Sequence, residues 1–196
     1  LRMSSFACCV LLKQAGIEPI CQMTGRDRNA IALQADLMGA HALGIRNLLA
    51  LTGDPIKAGD HAKCKPVHEL ESIRLLRVIR QLNSGVDYND KEMKDGALNI
   101  FPGGAVDPQC KNLSGMQKRF ERKVEARAQF FTIQLISDFV KLEKYMDRVT
   151  ARCYKPVLAG IFVMKYAKDG TIINRSVPGV DIPQHIIDRL AAAEDP

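Results

Sequence analysis

Short apolar runs that end in a polar or glycine-bearing turn and hand over to a helical period recur along this chain, and that repetition limits its fold more than any other feature. The clearest case is Asn47-Leu48-Leu49-Ala50 leading into Leu51-Thr52-Gly53-Asp54-Pro55. It reads as a buried-type strand that delivers a carboxylate at its carboxyl tip, with Gly53 letting a ligand approach the backbone. Gly-Asp-Pro is also ordinary turn chemistry, so recurrence is what raises the site reading above the turn reading. Pro19 to Thr24 is a second such strand, running into Gly25-Arg26-Asp27-Arg28-Asn29 and a helix of Ala, Leu and Met. A helix over Glu69 to Leu82 follows the Asn47 strand. The remaining units are Ala97 to Phe101 breaking at Pro102-Gly103-Gly104, with a charged helix over Ser114 to Ala128, and Gln129 to Leu135, with a helix over Ser137 to Thr150. The last strand is Pro156 to Phe162.

Strands alternating with helical periods imply parallel βα units with right-handed crossovers. Residues two apart on a strand share a face, which places Gln22 with Thr24, Thr52 with Asp54 and Thr132 with Gln134. If those faces converge, they form a polar mouth over an apolar core. The expectation is a TIM-type (β/α)8 barrel with its site at the carboxyl ends of the strands, about five of the strands being present. A doubly wound open sheet is the rival, and periodicity does not separate the two. The absence of a GxGxxG fingerprint before any helix lowers the dinucleotide-fold version of that rival.

At 196 residues the chain suits one domain, 1–196, and no segment is long and apolar enough to span a membrane. Net charge is +6, much of it in Lys118, Arg119, Arg122, Lys123 and Arg127, interleaved with Glu121 and Glu125 on one helix. Such spacing usually marks a solvated face; phosphate binding is the functional alternative, and few aromatics stand ready to stack on nucleic-acid bases. Cys8, Cys9, Cys21, Cys64, Cys110 and Cys153 form no CxxC pair, so no metal site is expected, and they read as reduced, mostly structural thiols of a cytoplasmic protein. The four histidines show no catalytic spacing.

Met23-Thr24-Gly25-Arg26-Asp27-Arg28-Asn29, Gly39 to Asn47, and Leu51-Thr52-Gly53-Asp54-Pro55 together resemble the methylenetetrahydrofolate reductase family. The likeness continues through Gly59-Asp60-His61, Gly104 to Pro108, Arg122 to Ala126, Gln129 to Gln134, Val157 to Ile161 and Val177 to Pro183, in the family's order. The resemblance implies a flavin-bearing barrel that reduces 5,10-methylenetetrahydrofolate to 5-methyltetrahydrofolate, with FAD the usual cofactor and FMN the alternative. The hydride donor is NAD(P)H or an electron-transfer protein partner, within a homo-oligomer or a hetero-complex. It assigns Asp54 to catalysis beside the flavin and the folate, where a fixed carboxylate stabilises the cationic iminium. Gln134 is assigned to the pterin, which its amide can both donate to and accept from. Gln22, Thr24, Thr52, Gly53 and Gly103 are assigned to the flavin, and Asp107, Arg122 and Lys123 to its ribityl, diphosphate and adenosine part. Plain turn, backbone-satisfying or surface-charge roles stand beside each of these assignments.

The chain departs from the family pattern at Gly25, where cysteine is usual, at Ile133, at Asp107, and at Arg127, which stands in place of a glycine. The family's first two strands, with the glutamate that serves as general acid, and its last strand and helix are unmatched. The expectation is a fragment of a longer domain with open sheet edges. A non-catalytic flavin- or folate-binding subunit is the alternative function. A zinc-dependent homocysteine methyltransferase would need clustered thiolates, which are missing here.

Overall fold

The structure, a computed structural model, describes residues 3–108, 112–136, 139–150, 153–177 and 180–194. Cys110, Ser137 and, within the Val177 to Pro183 stretch, Pro178 and Gly179 lie outside these residues. Five parallel strands alternate with helices: β1 Ile20–Thr24, β2 Asn47–Leu51, β3 Phe101–Val106, β4 Phe130–Leu135 and β5 Val157–Gly160. The helices are α1 Ser5–Gln14, α2 Ala30–Ala42, α3 Ser72–Asn83, α4 Leu113–Glu125, α5 Phe139–Tyr145, α6 Ala167–Ser176 and α7 Gln184–Glu194. The strand order is sequential, β1-β2-β3-β4-β5. A doubly wound sheet reverses its order at a switch point, and this one does not, so the open-sheet rival falls and the arrangement is that of part of a (β/α)8 barrel.

Residues divide into two compact units, 1–104 with 122–130 and 105–121 with 131–196. In the first, β1 pairs with β2 so that Gln22 meets Leu49 and Thr24 meets Leu51, and β2 pairs with β3 so that Leu49 meets Gly103. Paired residues project to one side, so Gln22, Leu49 and Gly103 share a face, while Met23, Ala50 and Gly104 share the other. On β1 that alternation is visible as burial: Cys21 and Met23 are in the core, Gln22 is exposed.

Helix α3 shows why the core sits where it does. Ile73, Leu75, Leu76, Val78, Ile79 and Leu82 are buried, while Arg74, Arg77 and Arg80, three residues apart, face water. That is the stripe of an amphipathic surface helix, and removing one such leucine costs about 2–5 kcal/mol. Helix α2 is apolar on both sides: Leu33, Leu37 and Ala40 are buried, yet Ile31 and Met38 are exposed. Its first turn is capped by the Asn29 side chain, which accepts from the Ala32 N–H at 3.0 Å, and by Glu69, which accepts from the Ala30 N–H at 2.8 Å.

Four helices end on one motif. After α1, α2 and α3 the chain turns through Gly16, Gly44 and Gly85 with φ of +78°, +75° and +78°. After α4 the same position is Arg127, φ +73°. Its N–H donates to the Val124 carbonyl at 2.9 Å and the Ala128 N–H to the Lys123 carbonyl at 2.9 Å, the paired bonds of a left-handed helix cap.

The third strand departs from its expected bounds, beginning at Phe101 rather than ending there. Pro102 is tolerated because a strand residue's N–H and carbonyl point the same way. Its carbonyl accepts from Gln129 at 2.7 Å, just ahead of the first residue of β4, so the missing donor falls where the ladder is starting.

In the second unit, Phe131 of β4 packs on Phe120 of α4 with ring centroids 4.4 Å apart, which leaves Thr132 and Gln134 on the opposite face. Strand β5 is shorter than the apolar run suggested, and Ile161, Phe162 and Val163 lie exposed beyond it. Gly160 sits where β5 meets an irregularity in β4; a Cβ there would come within 2.9 Å of the Ile133 carbonyl oxygen. Val180, Ile182 and Ile187 form a small core with α6 and α7, locked by Asn174, whose side chain bonds both the N–H and the carbonyl of Ile182 at 2.6 and 2.9 Å.

A candidate active site at the carboxyl ends of β1 and β2

Past Thr24 and Leu51 the two strands release their chains side by side, and the residues that follow are tied into one polar cluster. The Arg26 guanidinium grips Asp27 with both edges, Nε to Oδ1 at 2.7 Å and Nη2 to Oδ2 at 2.9 Å. The Thr24 hydroxyl donates to Asp27 Oδ2 at 3.2 Å. With its remaining nitrogen, Nη1, Arg26 donates to the backbone carbonyl of Asp54 at 3.2 Å. These contacts lower the Asp27 carboxyl below its ordinary pKa, chiefly through the bond from Arg26, and raise the Arg26 guanidinium through the same bond. Asp54 itself is exposed, and among the described residues its carboxylate accepts no hydrogen bond.

Gly53 makes the approach of the two tips feasible. Its φ is +92°, and a Cβ there would stand 2.8 Å from Arg26 Cβ and 3.3 Å from Thr24 Cβ. The loop after β2 returns over β1, with the Val67 N–H donating to the Arg26 carbonyl at 2.7 Å. A cleft of about 790 Å³ opens beside the cluster, lined by Met3, Arg26, Asp27, Ile56, Asp60 and His61 among others. A second of about 470 Å³ is lined by Thr52, Gly53, Ile56 and Cys64.

Each assigned residue of this unit has a definite place. Gln22 is exposed, with a side-chain amide that has no partner among the described residues, and Thr24 is half-buried in the cluster. Thr52 corrects the alternation argument. It follows Leu48 and Ala50 in parity, not Leu49 and Leu51, and its hydroxyl accepts from the Ser72 N–H at 3.2 Å, capping α3 on the helix-covered side. Gly103 is buried, and a Cβ on it would fall 2.3 Å from the ring of Phe130, which is stacked on Phe101 at 5.7 Å. Arg122 and Lys123 occupy the last turn of α4, Arg122 exposed and Lys123 half-buried, where cations also offset the helix dipole.

In the second unit Asp107 follows the end of β3 and is half-buried, and Gln134 is exposed on β4. Tyr145 is wholly buried with its hydroxyl unpaired among the described residues, and burial together with the nearby Asp107 raises its phenol.

Arg26 and Asp27 are not among the assigned site residues, because adjacent opposite charges carry no spacing signature of a site. Nor is Glu69, which caps a helix 39 residues upstream. Among the described residues no group of His, Cys, Asp and Glu is arranged to hold a metal ion, and no helix is long and apolar enough to cross a membrane.

Comparison with known proteins agrees with the motif resemblance. The family model described as Methylenetetrahydrofolate reductase matches residues 1–196. The chain is 29% identical over 180 residues to "Methylenetetrahydrofolate reductase 1" of Schizosaccharomyces pombe, covering 91% of this chain and 28% of that protein. To "Probable methylenetetrahydrofolate reductase (NADPH)" of Caenorhabditis elegans it is 26% identical over 194 residues, covering 95% of this chain and 26% of that one. The chain therefore spans less than a third of the curated relatives it matches.

Proposed function

Because this chain belongs to the methylenetetrahydrofolate reductase family, we propose that it forms part of a flavin-dependent oxidoreductase that reduces 5,10-methylenetetrahydrofolate to 5-methyltetrahydrofolate. The observation that carries the reading is Asp54, a carboxylate without a hydrogen-bond donor among the described residues, while its own backbone is pinned by Arg26 from the end of the neighbouring strand. A fixed, unspent carboxylate is suited to stabilising positive charge that develops on the one-carbon unit of the folate, since no reorganisation is needed when the charge appears.

The residues present fit a flavin. Gln22 offers for a heterocycle edge an amide without a partner among the described residues, and Gly53 leaves its backbone bare of side-chain bulk beside the cleft. Thr24, Thr52 and Gly103 are assigned to its lining, and Asp107, Arg122 and Lys123 to its ribityl and diphosphate groups, with FAD preferred over FMN. By the family resemblance Asp54 would also serve the folate, and Gln134 would hold its pterin. When bound, the flavin supplies hydride, the chemistry for which a protein provides binding and electrostatics. An NADPH-named relative favours NAD(P)H as donor over an electron-transfer protein.

The test is spectroscopic. Purified full-length protein should show flavin absorbance that NADPH bleaches without oxygen and that methylenetetrahydrofolate restores. Asp54→Asn should retain the flavin and slow its restoration by about 100-fold, the scale of losing one preorganised electrostatic group. Flavin that folate leaves untouched would instead favour a non-catalytic binding subunit.

A further inference from the structure

We infer that Arg26 is a positioning residue for Asp54, a clamp through which β1 sets the place of the carboxylate delivered by β2; the inference rests on the role proposed for Asp54. The contact is specific. One guanidinium spends Nε and Nη2 on Asp27 and Nη1 on the Asp54 carbonyl, at 2.7, 2.9 and 3.2 Å. Its planar fork is held by Asp27, and Asp27 by the Thr24 hydroxyl, so a chain of three side chains fixes the donor that reaches Asp54. The aliphatic stem of Arg26 lies against Gly53, where a Cβ would be too close to it at 2.8 Å. Asp54 is thus held from two directions, by hydrogen bonding at its carbonyl and by packing at the preceding residue.

The need for a clamp follows from the backbone. Gly53 has a φ of +92° and no side chain, so it restrains the following residue weakly. Asp54 is exposed, and among the described residues its carboxylate accepts no hydrogen bond. Without Arg26 the peptide between Gly53 and Pro55 would be free to sample several orientations, and a displacement near 1 Å can cost about 100-fold in rate. Lysine cannot substitute, because a point charge on a flexible stem cannot bond both edges of Asp27 and the Asp54 carbonyl in one geometry.

The experiment compares Arg26→Gln, Arg26→Lys, Asp54→Asn and the double variant Arg26→Gln/Asp54→Asn in the full-length, flavin-loaded protein. Reduction of flavin by NADPH and its reoxidation by methylenetetrahydrofolate are timed separately. Arg26→Gln should slow reoxidation by about 10- to 100-fold, with flavin reduction little changed. Arg26→Lys should recover only part of that rate. Once Asp54 is gone there is nothing left to position, so the double variant should be no slower than Asp54→Asn alone. If the two losses multiply, or if Arg26→Gln slows both half-reactions alike while lowering the melting temperature, Arg26 is structural and the clamp is wrong. Should Arg26→Gln fail to fold, Arg26→Lys, which keeps the stem against Gly53, decides the question by the same cycle. If Asp54→Asn leaves reoxidation at its original rate, the role proposed for Asp54 fails, whatever Arg26 does.

Discussion

Gly25 and Leu70 are in such close contact that a Cβ placed on the glycine would stand 1.6 Å from the leucine carbonyl oxygen. This is backbone against backbone, and no side-chain rotation relieves it. The contact is useful because Leu70 leads into Glu71 and Ser72, the start of α3, and follows Glu69, which caps α2. Two helix N-termini therefore depend on the segment that Gly25 admits.

Gly25→Cys, which would install the residue usual at this position in the resembling family, should accordingly destabilise the protein. The expected loss is about 3 kcal/mol, the upper range for overpacking a core, because the 69–72 segment must retreat. Chemical denaturation checks it: the midpoint should fall with the slope unchanged. A variant as stable as the parent would mean that the segment moves aside freely.

Arg127→Gly should act in the opposite direction. Arg127 sits at φ +73° after α4, where α1, α2 and α3 each place a glycine in the same conformation. A non-glycine residue there costs about 1 kcal/mol, so glycine should stabilise by that amount, less what its freer unfolded chain takes back. The Schellman hydrogen bonds from Arg127 and Ala128 use backbone only and survive the change. A rise in midpoint supports this; a fall would show that the arginine side chain contributes more than the strain removes.

How much of this was legible from sequence can be argued from these residues. Alternation along β1 puts Gln22 and Thr24 on one face because one face is polar and the other is not, and the structure buries Cys21 and Met23 while leaving Gln22 exposed and Thr24 half-buried. Strand β2 is less legible: Leu48, Leu49 and Ala50 are all buried, so nothing in the pattern says which parity faces the helices, and the register puts Gln22 and Thr24 with Leu49 and Leu51 rather than with the parity of Thr52. Strand β3 was misplaced since Pro102-Gly103-Gly104 carries breaker chemistry, while the ring of Phe130 that requires Gly103 is distant in sequence. The departure at Arg127 was legible, but its left-handed conformation is a property of the turn. The bidentate Arg26–Asp27 grip has no spacing signature, since what makes it part of a site is the carbonyl of Asp54, 28 residues on.

Cys21 sets a dependence on alkaline pH. It is 1% exposed, in a core with Cys9, Ala40 and Ile45, and burial, reinforced by Cys9, pushes its thiol up to about 12. The unfolded chain releases this proton near the ordinary thiol value and the folded chain keeps it, so the folded state binds more protons as pH rises. Stability is full below about 9 and should fall by up to about 1.4 kcal/mol per pH unit between there and about 12. Melting curves of the parent and Cys21→Ala across that window check this, and the variant should lose part of the slope. Thiol reagents at neutral pH should label exposed Cys64 and spare Cys9 and Cys21.

Thr52 allows a structural duty to be separated from a ligand-binding one. Its hydroxyl is the only side chain among the described residues seen to accept from the first N–H of α3, since Glu71 at the cap position makes no side-chain bond. Thr52→Ala should therefore cost about 1 kcal/mol, as for other lost helix caps, and Thr52→Ser should recover most of it. The 3.2 Å bond points its hydroxyl at Ser72, while the residue also lines the smaller cleft. If Thr52 serves the flavin as well, Thr52→Ala should weaken flavin retention by more than the lost stability explains, and Thr52→Ser should restore both. Titration of flavin onto the stripped protein, read beside the denaturation midpoint, separates the two: a loss of stability with unchanged flavin affinity would confine Thr52 to capping α3.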